Sequence, residues 1–387
     1  MSCLGAGAAA LTGFIRARPS AVAPMSAPRG DDGGSGGGSM AKIRFGVVGV
    51  GVNGNRHLEE IATIPDAALV AVCDVDATRA GVAARRWGVA AHSDPAELLA
   101  RRDVDVVAIC TPTGLHADLA VQAAQAGKHA IVESPMEVTL EAADAMIAAF
   151  HRADRHLGVV SQHRFDPATV RLKALLDAGE FGDVLLAQAT GHAYRSQSYY
   201  DRGGWRGSRA LDGGGAAMNQ SFHLIDVLQY LVGPVRSVQA VTDRLGHTGL
   251  DVEDVALATW RLASGGLAQV SCTTTAHPGF PPRIALFGSQ ATAILEDDRL
   301  TDLYRRGTDE ASPGERGTVN QVGQETQAAA RPQPGASHRL QLRDMVRAIQ
   351  EDRPPTVAGE DGRKAIELVL AIYRAAELGT VIALPLG

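Results

Sequence analysis

The sequence predicts an α/β protein in two parts: a doubly wound parallel sheet over residues 40–160, then an α+β domain over 161–387 with a large, mainly antiparallel open sheet. Three observations carry this. From Arg44 to Val160, short and almost wholly apolar runs alternate with helical stretches, as strands buried on both faces of a parallel sheet require. From Val184 onward the apolar runs lengthen, alternate with polar residues and are joined by hairpin turns such as Ser264-Gly265-Gly266, the pattern of antiparallel pairing. The first apolar run, RFGVVGVGVNG at 44–54, breaks into Gly49, Gly51 and Gly54 just before a helix, as the first strand of a doubly wound sheet does when it turns over a ligand.

Each glycine of that run has a separable task. Gly49 permits the tight turn, Gly51 lets backbone approach a phosphate, and Gly54 lets the helix pack closely on the strand. The loop through Val52 and Asn53 presents unpaired N–H groups and the positive end of a helix dipole to the same spot. A second apolar strand, Ala68 to Cys73, ends in Asp74, 23 residues past Gly51 (74 minus 51), where a carboxylate receives the ribose hydroxyls of a dinucleotide. The alternative is a glycine-rich core turn with no ligand. Asp74 with Asp76 close behind favours NAD, because a 2′-phosphate would meet two negative charges; Arg79 nearby keeps NADP possible.

The elements that follow alternate regularly. A helix over Ala77–Trp87 stops at Gly88, and Ser93-Asp94-Pro95 caps a second over Ala96–Arg101. A strand over Val104–Cys110 ends in Thr111 and Pro112 at the carboxyl edge of the sheet, where ligands of such sheets sit. A helix over Ala117–Ala126 leads to a strand over His129–Val132, which ends in Glu133-Ser134-Pro135. Thr139 caps the helix Leu140–Leu157. In the second part, Asp166-Pro167 open a helix ending at Gly179, and strands are expected over 184–194, 235–245, 252–262, 267–275 and 291–296. Residues 308–336, rich in Gly, Gln and Pro, read as a flexible excursion before closing helices over 337–351 and 362–378.

Bulk properties exclude several functions. The chain has 387 residues, 45% of them hydrophobic and 21% charged, and a formal net charge of -6 without a long basic cluster. That argues against a nucleic-acid or membrane-surface partner. No run of 18 uncharged apolar residues occurs, so no transmembrane helix is expected. Cys3, Cys73, Cys110 and Cys272 lie far apart, as reduced thiols of a cytoplasmic protein do, and neither their spacing nor that of the histidines signals a metal. Residues 1–39, ending in DDGGSGGGS, read as a disordered tail or a mis-assigned start ahead of Met40, with a cleaved targeting peptide as the alternative.

Separated motifs then carry a resemblance: GVGVNGNRH at 49–57, CDVD at 73–76, TPTGLHADLA at 111–120, VESP at 132–135, QHRFDP at 162–167 and DGGGAAMNQSFHLIDVLQYLVG at 212–233. Together they resemble the Gfo/Idh/MocA family of glucose-fructose oxidoreductase and inositol dehydrogenase. The resemblance implies a Rossmann-type cofactor domain and a dehydrogenase acting on a secondary alcohol of a sugar or cyclitol, with the nicotinamide between the two parts. It also supports His116 on the nicotinamide side of the cleft, where unsupported it reads as a polar cap; Glu133 is a candidate for the cofactor ribose or a backbone partner, and Gln162, a further cofactor candidate, ends the linking strand with His163 and Arg164, one of which could face substrate or form a solvated rim. Most members end the fourth strand in Glu-Lys-Pro and carry Asp or Asn four residues before a histidine. Here the second motif is Asn219-x-x-x-His223, which on a regular helix sets both side chains on one face toward one hydroxyl. His223 suits a general base near neutral pH, though outside this pattern it reads as a core histidine. The run NQSFH looks like the nucleotide-sugar and glycoside 3-dehydrogenase branch.

The departure is Ser134, a neutral hydroxyl in the lysine's place. Three readings stay open: another cation such as Lys128, Arg164 or Arg195 substitutes; the chain resembles the NAD-dependent glycosidases of this family; or it binds cofactor with little catalysis. Tyr194, Tyr199, Tyr200 and Trp205 flank the Gly213–Gly215 run and suit either a sugar face or a subunit contact. The open sheet face predicts a homodimer or homotetramer.

Overall fold

Apolar strands too short to stand alone are stabilised by stacking side by side, and the first six do so in a single parallel sheet. The computed structural model describes residues 41–202, 204–306 and 335–386. The expected tail at 1–39 and residues 308–334 of the expected excursion lie outside the described residues. Strands β1 (Ile43–Val48), β2 (Ala67–Cys73), β3 (Ala90–His92), β4 (Val106–Ile109), β5 (His129–Val132) and β6 (Leu157–Val159) are ordered β3-β2-β1-β4-β5-β6. Strand order reverses between β1 and β4, so the crevice above their carboxyl ends is the topological switch point. β3 has three residues, too few to show a period. The helix Leu140–Ala153 ends earlier than the sequence suggests, at Asp154 in the left-handed region (φ 53), which frees Leu157–Val159 to pair with β5.

The second sheet contains β7 (Val184–His192), β8 (Val235–Asp243), β9 (Val255–Leu262), β10 (Leu267–Thr273), β11 (Arg283–Gly288), β12 (Ala291–Glu296), β13 (Arg299–Arg305) and β14 (Ile382–Ala383), ordered β13-β12-β11-β7-β10-β9-β8-β14. Every pairing is antiparallel except β7 with β10. Burial alternates along β9, so one face is core and the other is open. The core face packs on the helices Phe222–Val232 and Gly359–Leu378, through Ile225, Leu228, Val369 and Ile372. Leu186, Val241, Leu257 and Leu267 stand exposed on the strands.

The helix Ala336–Gln350 crosses back to the first sheet. Its Leu342, Met345 and Val346 pack in one cluster with Phe45, Val47, Val106 and Ala108. Gln341 fixes the return: its side chain donates to the Val159 carbonyl at 2.7 Å and accepts from Ser161 N at 2.9 Å.

Candidate active site

The glycine loop is built as its spacing implies. Gly49 has φ +88, and a Cβ there would stand 2.6 Å from the Cys110 carbonyl oxygen. Gly51 caps the helix Val52–Ile61, and a Cβ on it would meet nothing within 4 Å. Gly54 would drive a Cβ to 1.8 Å from the Gly49 oxygen. The first backbone bond of this helix is Asn55 N to Gly51 O at 3.0 Å, so the N–H groups of Val52, Asn53 and Gly54 are the ones a helix start leaves unpaired. Open space above Gly51 and a helix N-terminus beneath it form a cradle that fits a pyrophosphate. Val52 and Val75, 78% and 83% exposed, lie at the carboxyl ends of β1 and β2 and offer apolar surface to a bound nucleotide.

Asp74 does more than face a ribose. One carboxylate oxygen accepts Val50 N at 3.0 Å and so holds the loop, while the other accepts Asp76 N and the Arg79 guanidinium, both at 2.9 Å. Arg79 also reaches Asp76, at 3.3 Å. The arginine that keeps NADP possible is therefore engaged by both acids.

Two expected cofactor residues prove to be fasteners. His116 is 1% exposed, with Nε2 2.8 Å from the Thr111 carbonyl and Nδ1 3.0 Å from the Pro135 carbonyl. Both ring nitrogens are occupied by backbone, so His116 ties together the loops after β4 and β5 and does not present its ring to the cleft. Glu133 is likewise enclosed: one oxygen meets His57 Nε2 at 2.7 Å and the other accepts Ser134 N at 3.2 Å. Burial pushes Glu133 up, but the hydrogen bond and charge of His57 outweigh it and hold the carboxyl at about 2. Thr111 and Pro112 do line the carboxyl edge after β4, and the Thr111 hydroxyl is buried without a partner.

Ser134, Gln162 and His223 come together although they are far apart in sequence. Ser134 Oγ lies 3.3 Å and Gln162 Nε2 3.4 Å from His223 Nε2. Burial, reinforced by the charge of His163, pushes His223 down to about 4, so its imidazole is neutral at physiological pH. His163 stands edge-on to it, ring centres 5.2 Å apart. Its Nδ1 donates to Asp166 at 2.8 Å and meets Asp298 at 3.0 Å. Burial opposes its charge, yet the two carboxylates raise it to about 10.

Asn219 is not part of that cluster. It sits in a π-helical turn, Ala216–Gln220, which is separated from the helix Phe222–Val232 by Ser221 at φ -120, ψ 10. The expected shared helix face is therefore interrupted. Asn219 donates to Asp212 and accepts from Gln220. Asp212, 2% exposed, also accepts Gly207 N at 2.8 Å, and burial pushes it up to about 6. Glu253 fastens the same loop by accepting Gly215 N and Ala217 N. Sequence reasoning singled out neither acid; Asp212 is set among an apolar residue and glycines, and Glu253 lies in the acidic run 251–254, with nothing local to pair either.

Among the described residues none of the three proposed cations forms a hydrogen bond with Ser134, whose side chain meets His223. Lys128 donates to the Arg101 and Val104 carbonyls at the amino edge of the sheet. Arg164 is buried against Asp226, with Nε at 2.9 Å. Arg195 stacks over Tyr199. Two groups of metal-ligating types lie close together, His57–Cys110–Glu133 and His163–Asp166–Asp298, and each already contains the hydrogen-bonded ion pair described above.

The arrangement matches known proteins throughout. Residues 43–161 fit the oxidoreductase family with an NAD-binding Rossmann fold, and 169–294 fit the GFO/IDH/MocA C-terminal domain. The chain is 30% identical over 344 residues to myo-inositol 2-dehydrogenase of Thermotoga maritima, covering 87% of this chain and 96% of that protein. It is 31% identical to the WlbA dehydrogenase of Bordetella pertussis, solved with NADH and UDP-GlcNAcA, with a TM-score of 0.78 over 89% of this chain and all (100%) of that one. Levoglucosan dehydrogenase, solved with NADH and levoglucosan, is 25% identical with a TM-score of 0.79 over 89% of this chain and 100% of its own; the enzyme of that name from Pseudarthrobacter phenanthrenivorans is 29% identical over 269 residues, 62% of this chain and 69% of that protein. The chain belongs to the Gfo/Idh/MocA family of NAD-dependent oxidoreductases.

Proposed function

We propose that this enzyme oxidises a secondary alcohol of a sugar, glycoside, nucleotide sugar or cyclitol, or reduces the matching ketone. The observation that carries the reading is the meeting of Ser134, Gln162 and the neutral His223 at the carboxyl edge of the cofactor sheet. Gly49, Gly51, Val52, Asn53, Gly54 and Asp74 hold the dinucleotide, with NAD preferred to NADP, and Thr111 and Pro112 border it. When bound, NAD supplies the hydride-accepting carbon. His223 accepts the hydroxyl proton through Nε2, being deprotonated and within reach of Ser134. Ser134 and Gln162 orient that hydroxyl, and Asn219 shapes the far wall through Asp212.

Residues 40–160 serve as the NAD-binding domain and 161–387 as the substrate-binding and oligomerisation domain. No described helix is long and apolar enough to cross a membrane, and we place the enzyme in the cytoplasm. The exposed Leu186, Val241, Leu257 and Leu267 support a homodimer or homotetramer joined across the open sheet; a monomer by light scattering at micromolar concentration refutes that. The test of function is a panel of sugars, glycosides, nucleotide sugars and cyclitols with NAD or NADP, read as reduced cofactor. Cleavage of a glycoside only in the presence of NAD, without net NADH, would replace this reading with a glycosidase.

A further inference from the structure

Two guanidinium groups converge on one ring beside the Asn219 loop. Arg195 Cζ lies 5.3 Å and Arg206 Cζ 5.1 Å from the centre of the Tyr199 ring, and Arg206 also lies 4.9 Å from that of Trp205. The Nε of each is buried without a hydrogen-bond partner. Several other half-buried or buried arginines have carboxylates: Arg101 has Asp103, Arg164 has Asp226 and Arg353 has Asp344. Among the described residues no ion pair forms at Arg195 or Arg206. Asp212, the acid whose charge Arg206 influences, is bonded instead to Gly207 N and Asn219.

The cluster borders the cleft. Tyr199 accepts from Gln220 at 3.4 Å, and Gln220 donates to Asn219. The loop that carries Arg206 is seated on the turn after β4 by Gly114 N donating to the Leu211 carbonyl at 3.1 Å. Two like charges on one ring, within about a Debye length of each other, repel unless an anion lies near both. Stacking on Tyr199 and Trp205 holds the two planar forks in place in advance, which lowers the entropic cost of engaging a carboxylate or phosphate in bidentate fashion.

We propose that Arg195 and Arg206 bind an anionic group, a carboxylate or a phosphate, carried by the substrate beyond the hydroxyl that His223 serves. The proposal rests on the dehydrogenase reading for the hydroxyl but not for the anion. Its substrates are sugar acids or phosphorylated sugars, including nucleotide sugars, with neutral cyclitols poorer.

The experiment compares the full chain with Arg206→Gln and Arg206→Lys on glucose, glucuronate, glucose 6-phosphate and UDP-glucose with NAD. In the unsubstituted enzyme kcat/KM for the best anionic donor should exceed that for glucose at least tenfold. Arg206→Gln should lower that ratio at least tenfold, and Arg206→Lys should restore part of it; the donor that loses most identifies carboxylate or phosphate as the recognised group. A ratio near one in the unsubstituted enzyme, or an unchanged ratio in an Arg206→Gln protein with normal Tm and NADH binding, overturns the proposal. If no donor turns over, saturation-transfer NMR on the NADH-loaded protein separates the two ideas. Binding of glucuronate or glucose 6-phosphate that Arg206→Gln abolishes upholds the anion site and removes the dehydrogenase reading, whereas no binding of either overturns the anion site.

Discussion

Two glycine-to-alanine substitutions three residues apart should fail in opposite ways. At Gly51 an added methyl meets nothing within 4 Å, and the backbone at φ -70, ψ -154 is extended. Alanine is a poorer helix cap than glycine, but it also removes about 0.4–1 kcal/mol of unfolded-state entropy, so the apo stability of Gly51→Ala should stay within about 1 kcal/mol of the parent. The methyl does occupy the floor that a pyrophosphate must touch. A hundredfold loss of affinity would cut the stabilisation given by NAD at 100 times its original Kd from about 2.7 to about 0.4 kcal/mol. At Gly54 the methyl would lie 1.8 Å from the Gly49 oxygen and 2.9 Å from the Gly49 carbonyl carbon, backbone against backbone, more than ~1.5 Å inside contact distance. Relief requires shifting the helix Val52–Ile61 off β1, at about 1–3 kcal/mol or more. The apo Tm should fall by roughly 2–12 °C, taking about 2–4 °C per kcal/mol. Thermal melts with and without NAD, with calorimetric titration, check both. The reasoning is refuted if Gly51→Ala binds NAD as tightly as the parent, or if Gly54→Ala melts at the parental temperature.

The remaining expectations concern the proton site and its supports. His223→Asn should lower kcat by about 10²–10⁴-fold while NADH binding, followed by fluorescence, persists. Because His223 sits at about 4, kcat/KM for oxidation should show no acid limb between pH 6 and 7; a limb there contradicts the assignment. Ser134→Lys brings a cation to the side chain that meets His223 and should raise kcat, with an upper bound set by about 2.7–4 kcal/mol for one transition-state donor; an unchanged or lower kcat sinks that account. Arg164→Met leaves the Asp226 charge buried with the Ser161 hydroxyl but no cation against it and should cost about 3–5 kcal/mol in denaturant unfolding, whereas a loss below 1 kcal/mol would show the pair to be dispensable. His163 has a folded value of about 10 against 6.5, so its stabilisation is complete below pH 6.5 and is lost as pH rises toward 10; melts should decline across that window, and His163→Phe should flatten the decline.

What was legible in the sequence was whatever depends on neighbours in the chain. Gly49, Gly51 and Gly54 are constrained by a turn and a helix start only a few residues long, and each meets the restriction its position implies. The order of the first sheet follows because short apolar strands linked by helices have few ways to pair. The strands β3, β13 and β14 carry no such signal, since two to seven residues among turns show little periodicity. The relation of Asn219 to His223 was misread for a different reason. A spacing of four implies a shared face only if the helix is regular, and nothing local in AAMNQS announces a π-turn. The loop around it is held by Asp212 and Glu253, whose partners depend on the tertiary fold. Arg164, a candidate cation by charge alone, is neutralised by Asp226, 62 residues away.

Ser134 is separated from His223 by 89 residues, and Gln162 from His223 by 61, and each stands where the chain leaves one element for the next: after β5, after β6, and at the first turn of the helix Phe222–Val232. None of the three side chains contributes to the large apolar cores on either side. Stability and chemistry are thus assigned to different residues. The pairs Glu133–His57 and Arg164–Asp226 fasten these joints from within, while the groups that face the cleft are neutral and weakly bonded, at 3.3–3.4 Å. The side chain at residue 134 can therefore change without disturbing what holds the joint, because Glu133, Pro135 and His116 secure that turn through backbone and buried contacts.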